Sequence, residues 1–126
     1  MVLEVNMTQG KKYSVFEYLY RDASNYKVWG QLLLEGEMTI EQACYLQSRF
    51  DSEEFFIAEQ IGVPPINKEL WVYSGGITSD DHVWHSFQGV RPATAEDILT
   101  ENVWGSVDSL LSNVKAVSSW CLSGWV

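Results

Sequence analysis

The stretch YSVFEYLYRDASNYKVWGQLLLEG, residues 13–36, decides the fold because it has the pattern of two strands joined by a short turn. Residues 13–22 are rich in aromatic and β-branched side chains that alternate at period two, which is typical of a strand. Residues 23–25, ASN, have turn chemistry, and residues 26–36 form a second apolar run. The pattern therefore predicts an antiparallel hairpin. On its first strand, one face carries Phe16, Tyr18 and Tyr20, and the other carries Val15 and Leu19.

Gly30 interrupts the apolar run of the second strand. Glycine weakens a strand because it has no side chain to pack against its neighbours. Its position therefore predicts either a bulge or the close approach of another group to the backbone.

Two helix starts follow the hairpin. Thr39 and Gln42 match a capping box, in which each side chain bonds the backbone N–H of the other, and the helix is expected to end near Asp51. An amphipathic pattern predicts a second helix from about Ser106 to Trp120, and residues 94–97, TAED, resemble a further helix start. The first helix is expected to face the sheet with Ile40, Ala43, Cys44, Leu46 and Phe50.

The middle of the chain is predicted to add further strands. Residues 51–65 suit a short strand or a distorted helical turn, and we favour the extended form. Residues 69–73, ELWVY, predict a strand whose hairpin partner is residues 82–87, HVWHSF. The elements together predict an α+β fold, a single domain over residues 1–126, with an antiparallel sheet of about four strands and two main helices packed on one face.

The chain is strongly acidic, with 17 acidic and 8 basic residues and a net charge of −9. Binding to nucleic acid or to anionic membranes depends on clustered lysine and arginine, so the charge disfavours both classes of partner. The acidic residues are scattered along the chain, which is typical of a charged surface that keeps a protein soluble.

The two cysteines, Cys44 and Cys121, are too far apart for a CxxC zinc or redox motif, and we interpret both as buried small hydrophobes. The first dozen residues lack the basic start and apolar run of a secretory signal. No stretch approaches the roughly 20 apolar residues of a membrane span. These observations predict a cytoplasmic protein that needs no cofactor.

The stretch SDDHVWHSF, residues 79–87, contains both histidines of the chain and is the strongest candidate for chemistry. On a strand the two histidines would point to opposite faces, so a metal would need a further ligand such as Glu17 or Asp22. A histidine beside a carboxylate also suits acid/base catalysis near neutral pH. A structural histidine at the start of a strand is the alternative that we favour. The candidate catalytic residues are Asp80, Asp81, His82 and His85, and the candidate metal ligands are Asp80, His82 and His85.

The hairpin tip is a second candidate site. Aromatic rings there would offer a flat stacking surface, and two basic side chains would attract an anionic ligand. The alternative is a solvated tip whose aromatic side chains pack beneath the helices. The candidate ligand-binding residues are Tyr18, Tyr20, Arg21, Asn25 and Lys27.

The string YLYRDASNYKVWG, residues 18–30, together with DDHVWHSF, residues 80–87, resembles a family of small bacterial proteins to which no activity is attached. The similarity covers roughly residues 13–88. It implies a bacterial, cytoplasmic setting and assigns no catalytic residue.

The last seven residues, WCLSGWV, are rich in large apolar side chains. A chain end is normally polar, so Trp120, Leu122 and Trp125 need cover from their own sheet or from a second copy of the chain. We expect a homodimer through these residues. Since no complete catalytic set is visible, the sequence predicts a small binding protein for a protein partner or small ligand. The alternative is a small metal-dependent or acid/base enzyme centred on the DDHVWH segment.

Overall fold

The computed structural model describes residues 11–22, 24–67 and 82–120. The strands in these residues are β1 (Tyr13–Arg21), β2 (Lys27–Glu35), β3 (Phe55–Ile57), β4 (Trp84–Pro92) and β5 (Val103–Ser106). The α-helices are α1 (Ile40–Ser48), α2 (Ala95–Thr100) and α3 (Val107–Lys115), and a 3-10 helix spans Ala58–Ile61. The strands form one sheet in the order β3-β4-β1-β2-β5. The α+β class is therefore confirmed.

The predicted hairpin is confirmed, because β1 and β2 pair antiparallel along their whole lengths. Asn25 has a left-handed φ of 71°, which asparagine tolerates better than most residues. Its N–H donates to the Asp22 carbonyl oxygen at 2.9 Å. The Tyr26 N–H donates to Asp22 Oδ1, also at 2.9 Å. The turn chemistry read from the sequence thus holds the tip together.

The sheet differs from the prediction in its fifth strand and in the neighbours of β4. β5 runs parallel to β2, so the sheet is mixed and not purely antiparallel. β5 has only four residues, which is too short to show a period in the sequence. β4 lies between β3 and β1 and continues to Pro92. Residues 69–73, its predicted partner, lie outside the described residues.

The predicted helix starts are confirmed. Thr39 and Gln42 form a reciprocal capping box at α1, and Ser106 caps α3. Thr94 and Asp97 form a second box at α2. α3 ends at Lys115, earlier than predicted, and the short strand expected within residues 51–65 is β3.

The helices cover both faces of the sheet. α1 and α3 lie on one face as predicted, where Leu46, Leu110 and Val114 join a core that includes the rings of Phe16 and Phe56. α2 lies on the opposite face, which we call the outer face. This second layer was not predicted, and it accounts for the burial of Val15 and Leu33 on that face.

Arg91 attaches α2 to the outer face. Its guanidinium donates to Asp97 Oδ2 at 2.6 Å and to Glu17 Oε2 at 3.0 Å. These hydrogen bonds raise the pKa of Arg91 and hold the pKa of Asp97 below its usual value. At the other end of the helix, Gln31 Nε2 donates to Glu101 Oε2 at 3.1 Å.

The predicted face of α1 is partly wrong. Leu46 and Phe50 are buried, but Ile40 is 83% exposed and Cys44 is exposed as well. The helix meets the core through its C-terminal end, so its first turn faces solvent. Cys121 lies outside the described residues.

Candidate functional site

Beyond α2, the elements that the structure describes leave part of the outer face uncovered. Phe55, Ser86, Leu19 and Trp29 are register partners on β3, β4, β1 and β2, so they form a row across this part of the face. A second row lies two residues further along each strand. It contains the pair Ile57 and Trp84 and the pair Arg21 and Lys27. The two rows place aromatic and basic side chains side by side.

A cleft of about 230 Å³ lies over these rows. Its floor and walls combine apolar side chains with one cation and one carboxylate. A neighbouring cavity of about 250 Å³ shares Phe55, His82 and Trp84 with it and adds Asp51. Both are smaller than the roughly 300–1,000 Å³ of pockets for drug-sized ligands, so a molecule held in the cleft would be small. The cleft is lined by Leu19, Arg21, Glu54, Phe55, His82, Trp84 and Ser86.

Arg21 and Lys27 lie directly opposite each other on β1 and β2. Like charges in this position repel and destabilise a sheet. Among the residues that the structure describes, neither side chain forms an ion pair, whereas Lys11, Lys12 and Arg91 each contact a carboxylate. In a chain of net charge −9, this pair is therefore a local positive site for which the described residues supply no counter-ion.

The two histidines converge, which corrects the prediction that they point apart. The ring centroid of Tyr20 lies 5.0 Å from that of His82 and 5.4 Å from that of His85. The alternation expected of a strand does not apply to His82, because β4 begins only at Trp84. The side chain of His82 returns to the end of β1 instead.

Backbone groups occupy both ring nitrogens of His82. Nε2–H donates to the Arg21 carbonyl oxygen at 2.7 Å, and Nδ1 accepts from the Trp84 N–H at 3.0 Å. Its own N–H donates to the Tyr20 hydroxyl at 3.1 Å. His82 thus ties the start of β4 to the end of β1, the structural role favoured as the alternative.

His85 is buried and has the same kind of partners. Nδ1–H donates to the Val83 carbonyl oxygen at 3.2 Å, and Nε2 accepts from the Ile66 N–H at 3.1 Å. Burial lowers the pKa of His85 to about 4, and the nearby His82 acts in the same direction. For either histidine, binding a metal or moving a proton would first require a backbone hydrogen bond to break.

The remaining metal candidates are not assembled in the described part of the chain. Glu17 is bound by Arg91, and Asp22 accepts from the Tyr26 N–H in the hairpin turn. No group of three His, Cys, Asp or Glu side chains in residues 11–22, 24–67 and 82–120 is arranged to hold a metal ion. Asp80 and Asp81 lie outside these residues.

The stacking surface expected of Tyr18 and Tyr20 is not exposed. Both rings lie on the core face, with exposed fractions of 2% and 0%, because they share that face with Phe16 beneath the helices. The Tyr18 hydroxyl donates to the Pro64 carbonyl oxygen at 2.7 Å. Arg21, Asn25 and Lys27 are exposed at the tip as expected.

Four side chains at this site were not singled out in the sequence: Trp29, Glu54, Phe55 and Trp84. Trp29 is 64% exposed. Trp29 lies two residues from Lys27 in the same strand, and this spacing places both side chains on the outer face. Glu54 had no local signal, because its partner Ser86 is 32 residues away.

Trp120 covers one side of this region. Its ring packs against Trp84 with centroids 6.3 Å apart, and against Phe50 at 6.2 Å. Its indole N–H donates to the Arg49 carbonyl oxygen at 3.2 Å. One of the large C-terminal side chains therefore finds cover within its own chain, and Leu122 and Trp125 lie outside the described residues.

None of the helices in the described residues is long and apolar enough to span a membrane. Comparison of the chain with models of protein families, with curated proteins and with solved structures found no match.

Proposed function

We propose that the protein is a small cytoplasmic binding protein, in the bacterial setting that the sequence resemblance implies, and that it binds a small ligand with an anionic group in the cleft on the outer face. The observation that carries this proposal is the Arg21–Lys27 pair, which has no counter-ion in the described residues and borders an aromatic cleft. An anionic ligand would relieve the repulsion between the two cations. Trp84 and Phe55 would pack against its apolar part.

Binding is favoured over catalysis because of the partners of the two histidines. All four ring nitrogens of His82 and His85 contact backbone groups. A general base needs a free lone pair within reach of its substrate. The enzyme centred on the DDHVWH segment is therefore the weaker candidate.

A suitable probe is 4-ethylphenylacetate, a small anion with an aromatic ring. Replacing Arg21 by alanine is expected to weaken its binding about tenfold or more, because a charge-assisted hydrogen bond contributes about 1.5–3 kcal/mol. The melting temperature should stay constant or rise slightly, since the variant removes the repulsion from Lys27. Titration calorimetry gives Kd, and thermal unfolding followed by circular dichroism gives Tm.

Lys115→Ala is the matched control. It removes the same charge from the last turn of α3, away from the cleft lining, and should change Kd by less than twofold. A clear drop in Tm for Arg21→Ala would instead identify Arg21 as a structural residue. If both variants bind the probe equally weakly, the loss of affinity comes from the change in net charge and not from a contact with Arg21.

We also propose that the residues after Trp120 form a homodimer contact, the protein partner suggested by the C-terminal sequence. Trp120 is only partly buried, so it leaves apolar surface exposed. Together with the apolar side chains of Leu122 and Trp125, this surface would be covered by a second copy of the chain. Sedimentation at micromolar concentration should show a dimer for the full chain and a monomer for a chain that ends at Trp120. A monomeric full chain contradicts the dimer, and a shortened chain that remains dimeric moves the contact elsewhere.

A further inference from the structure

The cleft contains two opposite charges that do not pair with each other. Arg21 and Glu54 both line it, yet among the described residues neither forms an ion pair. Elsewhere on the outer face, Arg91 satisfies two carboxylates at once. The separation of Arg21 from Glu54 is thus a feature of this cleft and not of the outer face in general.

The Glu54 carboxylate is held in place by its surroundings. Ser86 Oγ donates to Glu54 Oε2 at 2.5 Å, and Gln88 Nε2 donates to Ser86 Oγ at 2.8 Å, which directs the serine proton towards the carboxylate. The Glu54 carbonyl oxygen accepts from the Phe87 N–H at 2.8 Å. Ser86 is buried, so this arrangement is shielded from water on one side. Within residues 11–22, 24–67 and 82–120, the hydrogen bond from Ser86 Oγ engages Oε2 alone, so Oε1 can accept from a ligand.

The charges lie at opposite ends of an aromatic stretch. Glu54 precedes β3 and Arg21 ends β1, so their backbones lie two strand spacings apart across the sheet and about three residues apart along the strands, about 10 Å in each direction. Their side chains line the same cleft from these two ends. Phe55 and Trp84 line the cleft between them. A ligand in this cleft meets a cation at one end, aromatic rings in the middle and a carboxylate at the other end.

We infer that the ligand is a small dipolar molecule with an anionic group at Arg21, an apolar or aromatic middle, and an ammonium group at Glu54. This inference rests on the proposed function and names its ligand class. Global charge favours it over a simple anion, because a protein of net charge −9 repels an anion, whereas a dipolar molecule carries no net charge and is not repelled. The cleft volume of about 230 Å³ restricts it to a small molecule.

Two probes of the same shape test the inference: 4-ethylphenylacetate, an anion, and 4-(aminomethyl)phenylacetate, in which an ammonium group replaces the terminal methyl group. The wild-type protein should bind the dipolar probe about tenfold more tightly, since the ammonium gains a charge-assisted hydrogen bond to Glu54. Arg21→Ala should weaken both probes by a similar factor. Glu54→Gln should abolish the preference while leaving the affinity for the anion nearly unchanged.

Glu53→Gln is the matched control, because Glu53 is the adjacent carboxylate and does not line the cleft. This variant should retain the tenfold preference. Equal affinity of the wild type for the two probes overturns the dipolar ligand while the proposed function stands, and failure of both probes to bind overturns both. Loss of the preference in Glu53→Gln as well as Glu54→Gln also overturns it. If Glu54→Gln does not fold, the comparison of the two probes on the wild type decides alone.

Discussion

Gly30→Val is expected to lower the free energy of unfolding by about 3 kcal/mol, the upper end of the usual cost of overpacking a core. Gly30 is the register partner of Tyr18. A Cβ at this position would lie 2.9 Å from Tyr18 Cζ, closer than side-chain contacts allow, and 3.1 Å from Ile66 Cδ1, which is tighter than most. Urea unfolding at neutral pH measures the change.

The Tyr18 ring cannot easily move aside. Its hydroxyl donates to the Pro64 carbonyl oxygen at 2.7 Å, and its ring centroid lies 5.7 Å from that of Phe16 and 5.9 Å from that of Phe56. Tyr18→Leu shortens the side chain, so Gly30→Val should cost less in that background than in the wild type. Strict additivity of the two substitutions would show that the ring is not the obstacle.

Gly105→Ala is the control for this prediction. Its added Cβ would meet Ser109 Cβ at 3.9 Å, an ordinary contact, and it also lies in a strand. We expect a change within about 0.5 kcal/mol, as for substitutions that create no overlap. An equal loss at both positions would mean that strand glycines, and not the Tyr18 ring, set the cost.

Gly30 also shows what the sequence predicts well. A glycine inside an apolar strand indicated a close approach, and the hairpin pattern was sufficient to identify the two strands that meet there. Capping boxes at Thr39 and Thr94 were readable for the same reason, since each rests on contacts within four residues.

The second layer of helix was present in the pattern but not recognised. Val15 and Leu19 are apolar, although on β1 they point to the face opposite to that of Phe16 and Tyr20. A strand with apolar side chains on both faces is typical of a sheet covered on both sides. The helix that begins after Thr94 covers part of the outer face, and Arg91 attaches this helix to the sheet through Asp97.

The cleft was beyond prediction because it depends on contacts that are distant in the sequence. Ser86 meets Glu54 only because β3 pairs with β4, and three residues of β3 give no reliable period. His82 returns to the Arg21 carbonyl oxygen, 61 residues away. At the hairpin tip, the sequence indicated Arg21 and Lys27 as candidates because of their charge, and the β1–β2 register explains why the two charges adjoin.

Acidification from pH 6.5 to pH 4 is expected to lower the free energy of unfolding by about 3 kcal/mol through His85 alone. The buried ring has a pKa of about 4 in the folded chain, against 6.5 for an ordinary histidine, and one pKa unit corresponds to about 1.4 kcal/mol. In this window the unfolded chain binds a proton that the folded chain does not, so stability rises with pH and is lost as the pH falls. Well above pH 6.5 the histidine is neutral in both states and contributes no slope.

His85→Gln separates this effect from other titrations. Glutamine keeps an acceptor for the Ile66 N–H but does not titrate, so the variant should lack the slope of about 1 kcal/mol per pH unit even if it is less stable at every pH. The lowered pKa of Asp97 does not interfere, since its contribution is complete above the unfolded value of 3.8 and is lost only below it. Loss of negative charge on acidification acts in the opposite direction and is common to both proteins, so the difference between their urea-unfolding curves isolates His85. Parallel pH profiles for the two proteins would mean that the ring already binds its proton in the folded chain, and the neutral hydrogen-bond pattern assigned to it would be wrong.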